Sequence, residues 1–137
     1  MTNHYLVDTN VVSEMTKVVP NDAVVQWLAG GPSLYLSVLT VGEIQRGITR
    51  LPQEQHQKKL QLSSWLKQLC NQYSDRIFNV DMKTVQAWGK LPRLRTYPVI
   101  DSLLAATAIA YDLILVTRNV TDFEGLPVRL FNPFADL

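Results

Sequence analysis

Tyr5-Leu6-Val7-Asp8-Thr9-Asn10-Val11-Val12 is the stretch whose reading decides the fold. Three apolar, β-prone residues run without a polar break, stop at a carboxylate, and give way to Thr-Asn and two valines. Such a run reads as a buried strand. Four more runs share its character, at 34–36, 77–80, 113–116 and 128–130, each bounded by polar or turn residues. Between them lie helical patterns over 21–29, 40–50, 54–73, 81–94 and 101–111. Strands alternating with helices predict an α/β domain with a central, mostly parallel sheet.

The 137 residues suit one domain spanning 1–137, without internal repeat or low-complexity segment. At 47% hydrophobic and 18% charged, the composition is that of an ordinary globular chain. The single cysteine, Cys70, excludes an intrachain disulfide and reads as a small hydrophobe. The apolar stretches are short and interrupted by Asp8, Thr107 and Asp112, so neither a signal peptide nor a membrane span is expected. A cytoplasmic location is the expectation. Thirteen Lys+Arg against 12 Asp+Glu give a net charge of +1, which argues against a strongly basic nucleic-acid coat.

Ligands of open parallel sheets bind beyond the carboxyl ends of the strands. Asp8 directly follows the first strand, and Glu43 falls in the first turn of the helix after 34–36. Asp101 opens the helix preceding 113–116, so its end of that helix returns to the strand's carboxyl end. Asn119 and Asp122 lie just beyond that strand. Carboxylates from distant parts of the chain therefore converge, and they repel one another unless a cation sits among them. Oxygen ligands favour Mg²⁺ or Mn²⁺, each bound through one or two carboxylates plus water. His4 and His56 lack zinc-site spacing.

A carboxylate-held divalent cation suits phosphodiester hydrolysis, with a second ion about 3.5–4 Å away as an option. Arg46, Arg50, Lys90, Arg93, Arg95 and Arg118 flank the acids in sequence and could guide a polyanionic backbone. With Asp8, Glu43, Asp101 and Asp122 set aside as a metal-neutralised group, thirteen basic residues face eight acidic ones, leaving +5 for the surround. Each residue also has a plainer reading. Thr40-Val41-Gly42-Glu43 fits a capping box, Asp101 an N-cap, Asp8 the cap of the next helix, and Asn119 and Asp122 turn residues. Arg46 and Arg50 fit a solvated helix face, and Trp27, Trp65 and Trp88 fit core or interface positions more readily than base-stacking platforms.

Four blocks in order carry a family resemblance. They are Leu6-Val7-Asp8-Thr9-Asn10-Val11-Val12-Ser13; Leu36-Ser37-Val38-Leu39-Thr40-Val41-Gly42-Glu43-Ile44 with Arg46-Gly47; Pro98-Val99-Ile100-Asp101-Ser102-Leu103-Leu104-Ala105; and Leu115-Val116-Thr117-Arg118-Asn119-Val120-Thr121-Asp122-Phe123. A closing Val128-Arg129-Leu130-Phe131-Asn132-Pro133 is also alike. With these blocks the chain resembles PIN-domain proteins, and among them the VapC-type ribonuclease toxins of type II toxin–antitoxin pairs. The resemblance implies a three-layer α/β/α fold and a Mg²⁺-dependent endoribonuclease, with Mn²⁺ a possible substitute and tRNA frequent among targets.

Carried over by position, Asp8, Glu43 and Asp101 would form the acidic triad, and Thr9, Asn10 and Thr117 would hold those carboxylates in place. The fourth family position, often Asp, is Asn119 here, with Asp122 the nearest carboxylate. The link Leu94-Arg95-Thr96-Tyr97 is shorter than in many relatives. The resemblance further implies a homodimer, silenced by a cognate antitoxin whose C-terminal segment wraps the toxin near its site.

Other readings fit less well. A haloacid-dehalogenase-like phosphatase calls for a second Asp at the position of Asn10, and a phosphoryl-receiver domain for an early acidic pair and a late Lys. A non-catalytic RNA- or protein-binding module with the same fold is the alternative of a different class, and the retained Asp8, Glu43 and Asp101 argue against it.

Overall fold

A computed structural model describes residues 2–134. Strand β1 (His4–Val7) leads into a short helix α1 (Thr9–Val12), a 3₁₀ turn (Ser13–Thr16) and helix α2 (Asp22–Ala29). Strand β2 (Ser33–Ser37) is followed by α3 (Val38–Thr49) and α4 (His56–Gln72), and β3 (Ile77–Phe78) by α5 (Met82–Gly89) and α6 (Val99–Ala110). Strand β4 (Ile114–Val116), a 3₁₀ turn (Val120–Phe123) and β5 (Leu130–Phe131) complete the order. The five strands form one sheet in the order β3-β2-β1-β4-β5, and all four pairings are parallel.

Successive side chains of a strand face opposite sides of a sheet, and here both sides are apolar. Val7, Leu34, Leu36 and Val116 point to one side, where they pack with residues of α1, α2, α3 and α4, including Val11, Val24, Ile44 and Leu66. Leu6 and Leu115 point to the other, against Leu104, Ala105 and Ala108 of α6 and Phe123 of the 3₁₀ turn after β4. The result is the expected helix–sheet–helix sandwich. Trp27 and Trp65 pack on the first core, whereas Trp88 is 43% exposed.

Several boundaries differ from the sequence reading, each for a local reason. The helix expected over 81–94 stops at Gly89, and Pro92 and Pro98 keep 90–98 irregular. The helix expected from Thr40 begins at Val38, because Ser37 Oγ accepts the Leu39 N–H (3.0 Å) and so acts as its cap. The run 77–80 keeps only two strand residues, since Asp81 caps α5 by accepting the Thr84 N–H (2.9 Å). The last strand falls at Leu130–Phe131 instead of 128–130.

Gly125, at φ 88°, closes the turn after Phe123. A Cβ there would lie 2.9 Å from both Leu94 Cδ1 and Tyr97 Oη, so the link 90–98 is seated directly on this turn. Tyr97 also donates to the Glu124 carbonyl, and Arg95 Nη2 to the Thr121 carbonyl (2.8 Å).

Leu104 is fully buried between α6 and the sheet. Leu104→Ala should lower unfolding stability in urea by about 2–5 kcal/mol. The same change at Leu60, 51% exposed on α4, should stay within about 0.5 kcal/mol.

Candidate active site

The strands' carboxyl ends form one edge, and the chain places Asp8 at its centre. Asp8 N donates to Val116 O (2.9 Å), which continues the β1–β4 ladder one residue past the strand and leaves the carboxylate buried. Burying a carboxylate is costly unless donors surround it. Asp8 Oδ1 accepts from Thr9 N (2.7 Å), and Oδ2 from Thr117 Oγ1 (2.9 Å). Asn10 bridges the same two strand ends, donating from Nδ2 to Thr117 Oγ1 (3.3 Å) and accepting at Oδ1 from Arg118 N (3.2 Å). The plainer reading of Asp8 as the cap of α1 is therefore also true, and one carboxylate does both jobs.

Glu43 is tied to this group by Thr9 Oγ1, which donates to its Oε1 at 2.6 Å. The capping-box reading of Thr40-Val41-Gly42-Glu43 is overturned. Thr40 lies fully buried inside α3 with its hydroxyl unpaired, and the helix starts at Val38, which moves Glu43 from the first turn to the second. Asp101 is likewise not an N-cap but the third residue of α6, whose N-cap position is Pro98.

Electrostatics shows that the four acids share one place. The Asp101 carboxyl is pushed up to about 6, first by burial and then by the negative charges of Asp8, Asp122 and Glu43. Asp8 is raised too, by burial above all and by Glu43 and Asp122, although its bonds from Thr117 and Thr9 pull the other way. Asp122 is thus part of the cluster, set in the 3₁₀ turn after β4. Asn119 occupies the N-cap position of that turn; its backbone N–H donates to Thr117 Oγ1 (3.1 Å), and its side chain makes no capping bond.

Every donor in the cluster is an oxygen, the ligand type that hard divalent cations select. Among the described residues, no three acidic, imidazole or thiol groups close around a single point. An ion held here would take one or two of the carboxylates and complete its shell with water.

Four of the six expected basic residues fall in two sets on either side of the N-terminal turn of α6, while Lys90 is exposed at the end of α5 and lines neither. A groove of about 600 Å³ is lined by Glu43, Arg46 and Arg50 of α3 and by Ile100. A cavity of about 700 Å³ is lined by Trp88, Arg93, Arg95, Tyr97 and Ser102. Ile100 lines the first and Ser102 the second, so Asp101 lies on α6 between the residues that edge the two depressions, and Glu43 itself lines the first. Arg118 lies over the Phe134 ring (4.8 Å). Two features escaped the sequence reading. Trp88 Nε1 donates to Ser102 Oγ (2.9 Å), next to Asp101. Glu14 is buried, pairs with Lys17 (3.0 Å) and accepts from Asn21 N (2.8 Å), which fixes the loop after α1. Its low-pKa carboxylate, held down chiefly by Lys17, stands apart from the raised ones.

Comparison with known proteins returns one family model, the PIN domain, over residues 5–126. The toxin FitB of Neisseria gonorrhoeae is 32% identical over 142 residues, covering 96% of this chain and 99% of that protein. The VapC ribonuclease Y4jK of Sinorhizobium fredii is 27% identical over 136 residues, covering 94% and 96%. The crystal structure of FitAcB from Neisseria gonorrhoeae superposes with a TM-score of 0.87 at 30% identity, covering 96% of this chain and 99% of that one.

The raised Asp101 sets a pH signature for the metal-free protein. Folding raises this carboxyl from 3.8 to about 6, so the folded state binds the extra proton more tightly. The resulting stabilisation is fully present below pH 3.8 and is lost as pH rises through 6. Asp101→Asn should therefore melt above the wild type at pH 7 in EDTA, with the difference shrinking towards pH 4; calorimetry across that range checks it.

Proposed function

Because the chain belongs to the PIN-domain family, as the match over residues 5–126 establishes, we propose that it is a Mg²⁺-dependent endoribonuclease acting as the toxin of a toxin–antitoxin pair. The observation that carries this reading is the carboxylate cluster itself, in which burial and the neighbouring negative charges raise the pKa of Asp8 and Asp101 at the edge of a parallel sheet flanked by two arginine-edged depressions. Similarity to a VapC ribonuclease and to the toxin FitB supports the same reading.

Asp8 and Asp101 hold the cation in this proposal, with Mn²⁺ as a substitute. When bound, the cation acidifies a water for attack on phosphorus and offsets charge on the phosphate oxygens. Glu43, fixed by Thr9, completes the ligand set or takes the proton of the attacking water at its free oxygen. Thr117 and the Thr9 N–H keep Asp8 oriented. Asp122 adds negative charge that draws the cation in, and Asn119 stands at the start of its turn. Arg46 and Arg50 bind phosphates on one side of the scissile bond and Arg93 on the other, where Arg95, bonded to the Thr121 carbonyl, shapes the wall and adds positive charge.

The partners in this proposal are an RNA substrate, with tRNA a candidate, and a cognate antitoxin that covers the site; the toxin itself pairs as a homodimer. Among the described residues, no helix is long and apolar enough to cross a membrane. The proposed place of action is the cytoplasm, where such an RNA resides.

Purified protein mixed with total RNA in Mg²⁺ should cleave it, and EDTA should stop cleavage. Asp8→Asn should lose more activity than the roughly 10–100-fold expected for Thr117→Val, which removes only a support of the ligand. Cleavage should also fall as pH drops below about 6, with a midpoint that moves lower at higher Mg²⁺ because cation and proton compete for Asp101. Equal cleavage by Asp8→Asn and wild type contradicts the assignment, and RNA retention without cleavage in both Mg²⁺ and Mn²⁺ favours the non-catalytic module.

A further inference from the structure

The cavity between α5 and the start of α6 contributes an arginine to the proposed phosphate path, and its aromatic lining has no role in that path. We propose that it is a nucleotide subsite, in which Trp88 stacks on one unpaired base of the RNA and Arg93 contacts an adjoining phosphate. The inference rests on the ribonuclease reading and narrows its substrate to RNA with an unpaired nucleotide beside the scissile bond.

Four observations point there. Trp88 lines the cavity and is 43% exposed, although an indole gains from burial; its Nε1–H is tied to Ser102 Oγ (2.9 Å), so the ring is held in a fixed orientation. None of the lining residues is acidic and two are arginines, a balance that favours an anionic ligand such as phosphate over a cationic one. Arg95 is engaged with the Thr121 carbonyl (2.8 Å) and lies over the Tyr97 ring (4.8 Å), so it shapes the wall, and the exposed Arg93 is the lining cation placed to meet a phosphate. The cavity reaches Ser102, the residue beside Asp101, and its wall residue Arg95 is bonded to Thr121, the residue beside Asp122. A base held against Trp88 therefore lies next to the segment that carries Asp101. An aromatic platform beside a cation is the usual arrangement for unpaired bases, and each stacked base strengthens binding about 5- to 150-fold.

The subsite also has a geometric consequence. The wall formed by Arg95 and Tyr97 is clasped to the turn carrying Asp122, through Thr121, Glu124 and the close seat on Gly125. Occupancy of the cavity and the position of Asp122 are thereby linked.

The test measures affinity in an Asp8→Asn background in Mg²⁺, where RNA is bound but not cut. The probe is a fluorescein-labelled, single-stranded, mixed-sequence oligoribonucleotide, with a fully abasic oligomer of the same length as control. Trp88→Ala should weaken binding of the base-containing oligomer about tenfold or more and leave the abasic one unchanged. Trp88→Phe, which keeps a ring, should stay within about threefold. Arg93→Ala, at an exposed site where folding is not at stake, should weaken both oligomers and reduce the salt slope by about 0.7.

Unchanged affinity in Trp88→Ala, with folding verified by circular dichroism, overturns the subsite. So does a Trp88→Ala protein that loses self-association while keeping its RNA affinity, since the face then belongs to a contact between copies. Outside that background, cleavage by otherwise wild-type protein with an unaltered Trp88→Ala cut pattern sinks the subsite and leaves the ribonuclease standing. Binding by the same protein without cleavage does the reverse.

Discussion

Asp8 is placed where the sheet leaves it no freedom, because its own N–H continues the ladder to Val116 and its carboxylate is drawn inward by Thr9 and Thr117. Glu43, Asp101 and Asp122 then add like charge around a group already poor in water. The fold could relieve this repulsion by turning a helix or lengthening a loop, yet it spends hydrogen bonds from Thr9, Asn10 and Thr117 on holding the arrangement. A like-charge cluster maintained against its own electrostatics is the feature on which the proposed cation site rests. The parallel sheet, the short α1 and the entry angle of α6 are the means by which four distant acids are kept together.

Much of this was legible in the chain. Apolar runs ending in a polar residue mark the strands of a sheet covered on both faces, and they placed Asp8 and the segment after Val116 at one edge. What the sequence hid was short-range competition. Thr40 and Glu43 have capping-box spacing, but Ser37 three residues earlier offers a better-placed acceptor at the end of a strand, so the helix begins there. The pattern over 81–94 is amphipathic throughout, and only Gly89 and the flanking prolines reveal where it fails. The Thr9–Glu43 and Trp88–Ser102 bonds join residues 34 and 14 positions apart, and no periodicity encodes them.

Asp122 and Asn119 illustrate a subtler point. Position alone favoured neither as the fourth member of the site. The 3₁₀ turn treats them differently: Asn119 begins the turn and is engaged through its backbone, and the Asp122 N–H closes on the Asn119 carbonyl (3.0 Å), with the Asp122 charge acting on Asp8 and Asp101. The opening charge count takes on a different meaning in the same way. A total of +1 is the sum of a concentrated negative centre and two arginine-edged depressions on either side of α6, and the sum conceals both.

The central claim is that this cluster is built to hold a divalent cation, and thermal unfolding at pH 7 across a Mn²⁺ or Mg²⁺ titration tests it most directly. Wild-type protein should gain stability with saturating dependence on the cation, about 2.7 kcal/mol at a hundredfold excess over Kd, and Asp8→Asn should gain almost none. A wild-type midpoint that ignores the cation, or an Asp8→Asn protein that responds equally, would contradict the account.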